Sequence, residues 1–172
     1  MLDAAEMVVL VDESDREVGL APKLAAHVDG ALHRAFSVFV LNARGEVLLQ
    51  RRALGKYHSG GLWTNSCCGH PRAGEPVADA ARRRLHEEMG FDCALDPAGT
   101  FVYRAELGGG LVEHEYDHFF VGRHDADPVP DPAEVCEWRW QPPESTLAEL
   151  EAHPERFTPW FPLALRKLIA GD

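Results

Sequence analysis

Between Gly69 and Phe91 the chain reads GHPRAGEPVADAARRRLHEEMGF, and this stretch constrains the fold more than any other. The spacing predicts a helix over 75–89. Pro76 is tolerated in a first turn, and Gly90 supplies the stop. Ala78, Ala81, Leu85 and Met89 fall on one stripe. Arg83 and Glu87 lie one turn apart on a more polar side, and so do Arg84 and Glu88. Just upstream, Thr64-Asn65-Ser66-Cys67-Cys68-Gly69-His70-Pro71 sets a thiol and an imidazole two residues apart. Thiol reactivity follows its pKa, so a neighbouring metal ligand can tune it as acid or nucleophile.

Strands are expected on both sides of this helix. Residues 7–11 read as a short strand, and 35–41, Ala-Phe-Ser-Val-Phe-Val-Leu, as a buried one. Asn42-Ala43-Arg44-Gly45 is a turn signal, so 46–51 should return as the second arm of a hairpin. Residues 101–107 and 111–122 form strands joined at Gly108-Gly109-Gly110, and 135–140 another. Thr158 and Pro159 have the form of an N-cap and first helical position, opening a last helix to about Ala170. Many strands with few helices give an α+β or α/β sandwich. At 172 residues the chain has the length of one domain, taken as 1–172, with a hydrophobic core.

Composition removes several classes of function. The net charge is −11, and the longest basic cluster is Arg82-Arg83-Arg84, which argues against a nucleic-acid partner. No apolar run approaches a membrane span. The first residues carry Asp3 and Glu6 and lack the basic and apolar regions of a signal peptide. Cys67, Cys68, Cys93 and Cys136 form no C-x-x-C pair, so a cysteine zinc site is not expected. Free thiols without an export signal fit a reducing cytoplasm. No obligate protein partner is evident.

Three histidines and two glutamates form the candidate metal site. His27 and His33 flank the short loop 28–32, and His70 follows the Cys68 turn. Glu113 and Glu115 stand at i and i+2 on an expected strand, so both carboxylates share a face. Such a pair repels unless a cation or proton lies between. Imidazole nitrogens with carboxylate oxygens suit Mn²⁺ or Zn²⁺. Singly, the histidines also read as loop residues and the glutamates as a solvated face. His114 and His118 are rival ligands, although strand alternation turns His114 away from the glutamate pair.

From Gly69 the pattern resembles the Nudix box, G-x5-E-x7-R-E-U-x-E-E-x-G-U with U apolar, carried by Gly69, Glu75, Arg83, Leu85, Glu87, Glu88, Gly90 and Phe91. Arg84 stands where that pattern has glutamate. The segments around Lys23, His27, His33, Arg52, Trp63, Cys68, Tyr103, Glu113-His114-Glu115 and Pro159-Trp160 extend the likeness over roughly residues 5–165. Together they resemble the type I isopentenyl-diphosphate isomerases. The resemblance implies the Nudix fold, a mixed sheet between helices, and conversion of isopentenyl diphosphate to dimethylallyl diphosphate.

It also implies roles for residues. Cys68, which precedes Gly-His-Pro, and not Cys67, is the catalytic thiol. Glu115 is its acid–base counterpart and also a metal ligand, with Tyr103 tuning it and Trp160 facing the carbocation. Lys23, Arg52, Lys56 and Arg84 hold the diphosphate. Glu88 and the Cys68 carbonyl hold the Mg²⁺ that travels with it. His27, His33, His70, Glu113 and Glu115 hold the Mn²⁺ or Zn²⁺. Read without the family, Trp160 and Tyr103 are equally core aromatics, the cations are surface charges and Trp63 is core. The alternatives are a Nudix pyrophosphohydrolase of nucleoside diphosphate derivatives and a binding module without activity. Arg84 weakens the first, and the full set of thiol, acids and histidines weakens the second.

Overall fold

A computed structural model describes residues 6–171. Residues 1–5 and 172, and with them Asp3 and the extreme ends of the domain expected over 1–172, lie outside the described residues. The architecture is organised around β3 (His33–Leu41). Residues 35–40 are buried without alternation, as in a strand covered on both faces. Its neighbour β8 (Leu111–Arg123) runs parallel to it, in register from His33↔Glu115 to Leu41↔Arg123. β7 (Leu95–Gly108) pairs antiparallel with β8. The link passes through Gly108, Gly109 and Gly110, all with positive φ, which glycine adopts at little cost. β1 (Met7–Val11) pairs with β2 (Glu17–Pro22) and touches β3 at Leu10↔His33.

The expected hairpin after β3 is only partly present. β4 (Val47–Arg52) meets β3 at the single pair Leu41↔Val47 and then pairs with β5 (Trp63–Thr64) and β9 (Val135–Gln141). Into the resulting split comes β6 (Cys67–Gly69), antiparallel to β3 at Val38↔Cys67, Ser37↔Cys68 and Phe36↔Gly69. Side chains stitch the opening. Val40 N donates to Ser66 Oγ (2.8 Å), which donates onward to Leu48 O (2.7 Å). Gln50 Nε2 donates to Ser66 O and Asn65 Nδ2 to Val38 O. Buried backbone groups that lose a ladder partner need one elsewhere, which explains the buried polar run Thr64-Asn65-Ser66.

Four α-helices are described: α1 (Lys23–Asp29), α2 (Val77–Met89), α3 (Pro143–Ala152) and α4 (Phe161–Ala170). α2 covers one sheet face, with Ala80, Ala81, Leu85 and Met89 against Phe36, Val38, Val40 and Cys67. α4 covers the other, with Phe161, Ala164 and Leu165 against Phe39, Leu49 and Phe119. This is the expected mixed sheet between helices. Trp63 is half-buried beside the second core, and the Arg139 guanidinium lies 4.2 Å from its ring centroid.

Several boundaries differ from expectation. α2 begins at Val77, because Glu75 is occupied with Arg72 N and the Arg83 guanidinium. Ala78 is exposed and Ala80 takes its place on the buried stripe. α4 begins at Phe161: Thr158 donates its N–H to Trp63 O and its hydroxyl to Thr64 Oγ1, fastening the segment to β5 instead of capping the helix. β2, α1, β5, β6 and α3 were not expected. No described helix is long and apolar enough to cross a membrane.

Candidate active site and metal centre

Directly paired strand residues point to the same side of a sheet. The β3–β6 and β3–β8 registers therefore bring His33, Ser37, Cys68 and Glu115 to one face, and alternation along β8 adds Glu113 and Asp117. Cys67 points the other way into the α2 core and is fully buried. Adjacent cysteines are thus separated by the pleat.

The Cys68 thiol sits in a defined hydrogen-bond frame. Asn65 Nδ2 donates to two main-chain carbonyls, Val38 and Cys67, so its Oδ1 must face the other way. That oxygen accepts from Cys68 Sγ at 3.0 Å, while Trp160 Nε1 donates to the same sulfur at 3.2 Å. One neighbour suits the thiol and the other suits a thiolate. Burial, and next the carboxyl of Asp117, push the thiol pKa well up. Asp117 is itself buried, accepts from Ser37 Oγ at 2.8 Å, and is raised by burial and by Glu115.

Glu115 is the most connected acid. Tyr103 donates its hydroxyl to Oε1 (3.1 Å), and Oε2 lies 2.8 Å from His70 Nε2 and 3.4 Å from His33 Nε2. Burial would raise its pKa, but the two histidines outweigh burial and hold the carboxyl below its ordinary range. Burial also depresses His33, yet Glu115 more than compensates and its net shift is upward. Burial pushes His70 down to about 3. For Glu113 the balance is reversed: burial, and then the charge of Glu115, outweigh His27 and His33 and raise it to about 7.

The donor set fits a divalent cation. His27 Nδ1 faces Lys23 O at 2.7 Å and His33 Nδ1 faces Ala31 O at 2.9 Å. A carbonyl can only accept, so both Nδ1 atoms carry the proton and both Nε2 atoms present lone pairs. His33 Nε2 is buried and has no hydrogen-bond partner among the described residues. Two groups converge, His33–His70–Glu115 and His27–His58–Glu113. All five expected ligands are present in them. The loop expected over 28–32 is shorter than that: His27 lies inside α1, which runs on to Asp29, and its Gly30 cap in the left-handed region turns the chain toward His33.

His58 is the member that sequence reasoning missed. Its Nε2 lies 3.8 Å from Glu113 Oε2. It comes from an irregular loop, where no periodicity marks a side chain as inward. Asp117 was missed as well, although it continues the i, i+2 series of Glu113 and Glu115. Of the rival ligands, His118 pairs with Asp15 at 2.9 Å and His114 Nδ1 lies 3.2 Å from Gly30 O, both away from the site.

A cavity of about 300 Å³ opens onto this face, at the small end of ligand sites. Its lining includes Cys68, Glu115, Glu88 and Trp160 with the cations Lys23, Arg52, Lys56 and Arg84. Tyr103 stands behind Glu115, outside the lining. The Trp160 ring faces the Arg52 guanidinium at 5.4 Å. Arg52 Nη2 donates to His58 O, and its buried Nε has no partner among the described residues, leaving a donor for an anion. Lys56 pairs with Glu134. Arg84 bridges Glu87 (2.5 Å), Glu88 (2.7 Å) and Glu134 (3.3 Å). Glu87 therefore pairs with Arg84 as well as with Arg83, its expected partner at 3.2 Å. Glu88 accepts from Arg84 and from Gln50 Nε2 (3.0 Å).

Comparison with known proteins places these features in context. Residues 31–161 match the NUDIX domain model. The chain is 52% identical to isopentenyl-diphosphate Delta-isomerase 2 of Aromatoleum aromaticum, over 96% of this chain and 87% of that protein. It is 53% identical to isopentenyl-diphosphate Delta-isomerase of Burkholderia multivorans, over 91% and 89%. Among solved structures, DR0079 from Deinococcus radiodurans superposes with a TM-score of 0.79 at 24% identity, over 94% of this chain and 98% of that one.

Proposed function

The chain belongs to the isopentenyl-diphosphate isomerases of the NUDIX family, and we propose that it converts isopentenyl diphosphate to dimethylallyl diphosphate with Cys68 and Glu115 as its proton-carrying pair. The supporting observation is the shared cavity: a thiol and a carboxylate, both served by fixed hydrogen bonds, face one space with Lys23, Arg52, Lys56, Arg84 and an indole. The reaction adds a proton at the terminal alkene carbon and removes one from the allylic carbon, so no proton is gained or lost overall. An isolated alkene is a very weak base, and its protonated form is a tertiary carbocation. A positioned acid and a site closed to water are therefore needed.

Trp160 serves twice in this reading. Its N–H steadies the Cys68 sulfur, and its ring face attracts positive charge. Tyr103 orients Glu115 so that the carboxyl keeps one fixed face to the substrate. Lys23, Arg52, Lys56 and Arg84 bind the diphosphate, the guanidinium forks matching its oxygens. Glu88, with the Cys68 carbonyl, takes the Mg²⁺ that accompanies the diphosphate through the lone pairs that Arg84 and Gln50 leave unused. His27, His33, His70, Glu113 and Glu115 hold Mn²⁺ or Zn²⁺. When bound, that ion supplies positive charge that keeps the two glutamates ionised in a buried site. The reading also takes the chain as one cytoplasmic domain over 1–172 acting on a small molecule.

The test is incubation with isopentenyl diphosphate, Mg²⁺ and Mn²⁺, following dimethylallyl diphosphate and released phosphate. Isomer without phosphate is the expected result. A parallel incubation with nucleoside diphosphate derivatives should yield no phosphate, and efficient hydrolysis there would overturn the reading.

Arg84→Glu restores the Nudix pattern on paper. In the fold it places a fourth carboxylate among Glu87, Glu88 and Glu134. Breaking a buried charge pair in this way costs about 3–5 kcal/mol. The expected outcome is a lower melting temperature and weaker diphosphate binding without nucleoside diphosphate hydrolysis, checked by thermal unfolding and both assays.

Metal binding should release a proton in a pH-dependent way. With Glu113 titrating near 7 in the metal-free protein, its carboxyl is protonated below that pH and must lose the proton when Mn²⁺ binds. Proton release measured calorimetrically in buffers of different ionisation enthalpy should therefore be larger at about pH 6 than at about pH 8.5, and affinity should rise between them. Equal release at both pH values would remove Glu113 from the ligand set.

A further inference from the structure

Glu113 Oε2 lies between two imidazoles at nearly equal range, 3.6 Å from His27 Nε2 and 3.8 Å from His58 Nε2. These separations are long for hydrogen bonds. They are close to what adjacent ligands of one ion show, since donors about 2.1 Å from a shared cation stand roughly 3.0–3.4 Å apart. The His33–Glu115 separation, 3.4 Å, has the same character. The His58 side chain is only 6% exposed, and its ring centroid is 5.6 Å from that of His27.

The loop that carries His58 is built to aim it. Gly61 N donates to Arg52 O, Lys56 N to Ala53 O, and Arg52 Nη2 to the His58 carbonyl. Ser59 adopts φ +55, a region few non-glycine residues enter. At Gly60 a Cβ would approach Leu54 O to 2.8 Å, so the loop closes tightly on its own base. Ser59 Oγ lies 3.2 Å from His58 Nδ1. A hydroxyl that accepts from Nδ1 leaves Nε2 with its lone pair toward Glu113. The ring also stands edge-on to Trp160, with centroids 5.9 Å apart.

From this geometry we propose that His58 is a further protein ligand, binding through Nε2 to the cation shared by His27, His33, His70, Glu113 and Glu115. The inference rests on the metal site of the proposed function and extends it by one imidazole. It also gives His58 a chemical reason to be there. A free imidazole nitrogen beside the indole that faces the carbocation would compete for its proton. A metal-bound nitrogen has no lone pair to offer.

The test uses Mn²⁺ alone, without substrate, on wild type, His58→Ala and His58→Gln. Mn²⁺ affinity is measured by calorimetry. Nitrogen coupling to the ion is measured by pulsed electron paramagnetic resonance on ¹⁵N-histidine-labelled protein, and thermal unfolding of the metal-free proteins confirms that each variant folds. Both variants should bind Mn²⁺ at least about tenfold more weakly and show one coupled imidazole fewer than wild type. Affinity within about twofold of wild type in a folded variant overturns the proposal. Weaker binding with an unchanged set of coupled nitrogens also overturns it, because His58 would then only position Glu113. Wild-type protein that takes up no Mn²⁺ would defeat the metal site itself, and this inference with it.

Discussion

Cys68→Ala is expected to lower isomerisation by at least about 10³-fold, the upper range for removing a positioned acid or base, with the protein still folded. In the proposed reaction the thiol is one of the two groups through which protons enter and leave the substrate, and alanine can carry none. The substitution strands Trp160 Nε1, while Asn65 Oδ1 keeps the Thr64 hydroxyl as a donor at 2.8 Å. Its stability cost should be about 1–3 kcal/mol, that of unpaired buried polar groups. Cys67→Ala is the informative control. Its side chain packs against α2 on the opposite face, so turnover should stay near wild type while stability drops by about 1 kcal/mol. Turnover by dimethylallyl diphosphate formation and unfolding by circular dichroism separate the two. A dead Cys67 variant beside an active Cys68 variant would reverse the assignment of the thiols.

Glu115→Gln should be nearly as damaging, for a different reason. The amide keeps the size and one carbonyl oxygen but cannot take up a proton, so turnover should fall by at least about 10²-fold even with saturating Mn²⁺. Diphosphate affinity should survive, because the substitution leaves Lys23, Arg52, Lys56, Arg84 and Glu88 of the cavity lining unchanged. Glu113→Gln should behave otherwise. Glu113 contacts His27 and His58 and makes no hydrogen bond to Tyr103, so its loss should act through metal affinity and be partly restored by excess Mn²⁺. Rescue of Glu115→Gln by metal, with Glu113→Gln left inactive, would exchange the roles of the two carboxylates.

The residues that converge at the candidate site were legible in sequence wherever they sat on a regular element or in a motif with fixed spacing. Glu113 and Glu115 followed from strand alternation, and Cys68 and His70 from the segment before α2. What escaped was set by tertiary context. His58 lies on a loop whose path depends on backbone contacts to Arg52 and Ala53. α1 is a seven-residue helix, too short for periodicity to reveal, and its position is fixed by packing. The split between β3 and β4 was invisible because a turn signal predicts a hairpin without saying how far it continues. The polar run Thr64-Asn65-Ser66 was the available clue, since side chains of that kind buried in a sheet are there to replace missing ladder bonds.

The parallel pairing of β3 with β8 has a consequence for how this protein comes into being. His33 and Glu115 are partners across it, yet almost half the chain separates them. Such non-local pairings form slowly, because a long loop must close before any contact rewards the closure. During synthesis the nascent chain exposes His27, His33 and His70 well before Glu113 and Glu115 emerge. The proposed ligand cluster is therefore completed only when β8 docks, and a cation held there would bridge both ends of that loop. On that reading the ion would act on folding as a clasp, opposing the undocking of β8 and lengthening the lifetime of the native state.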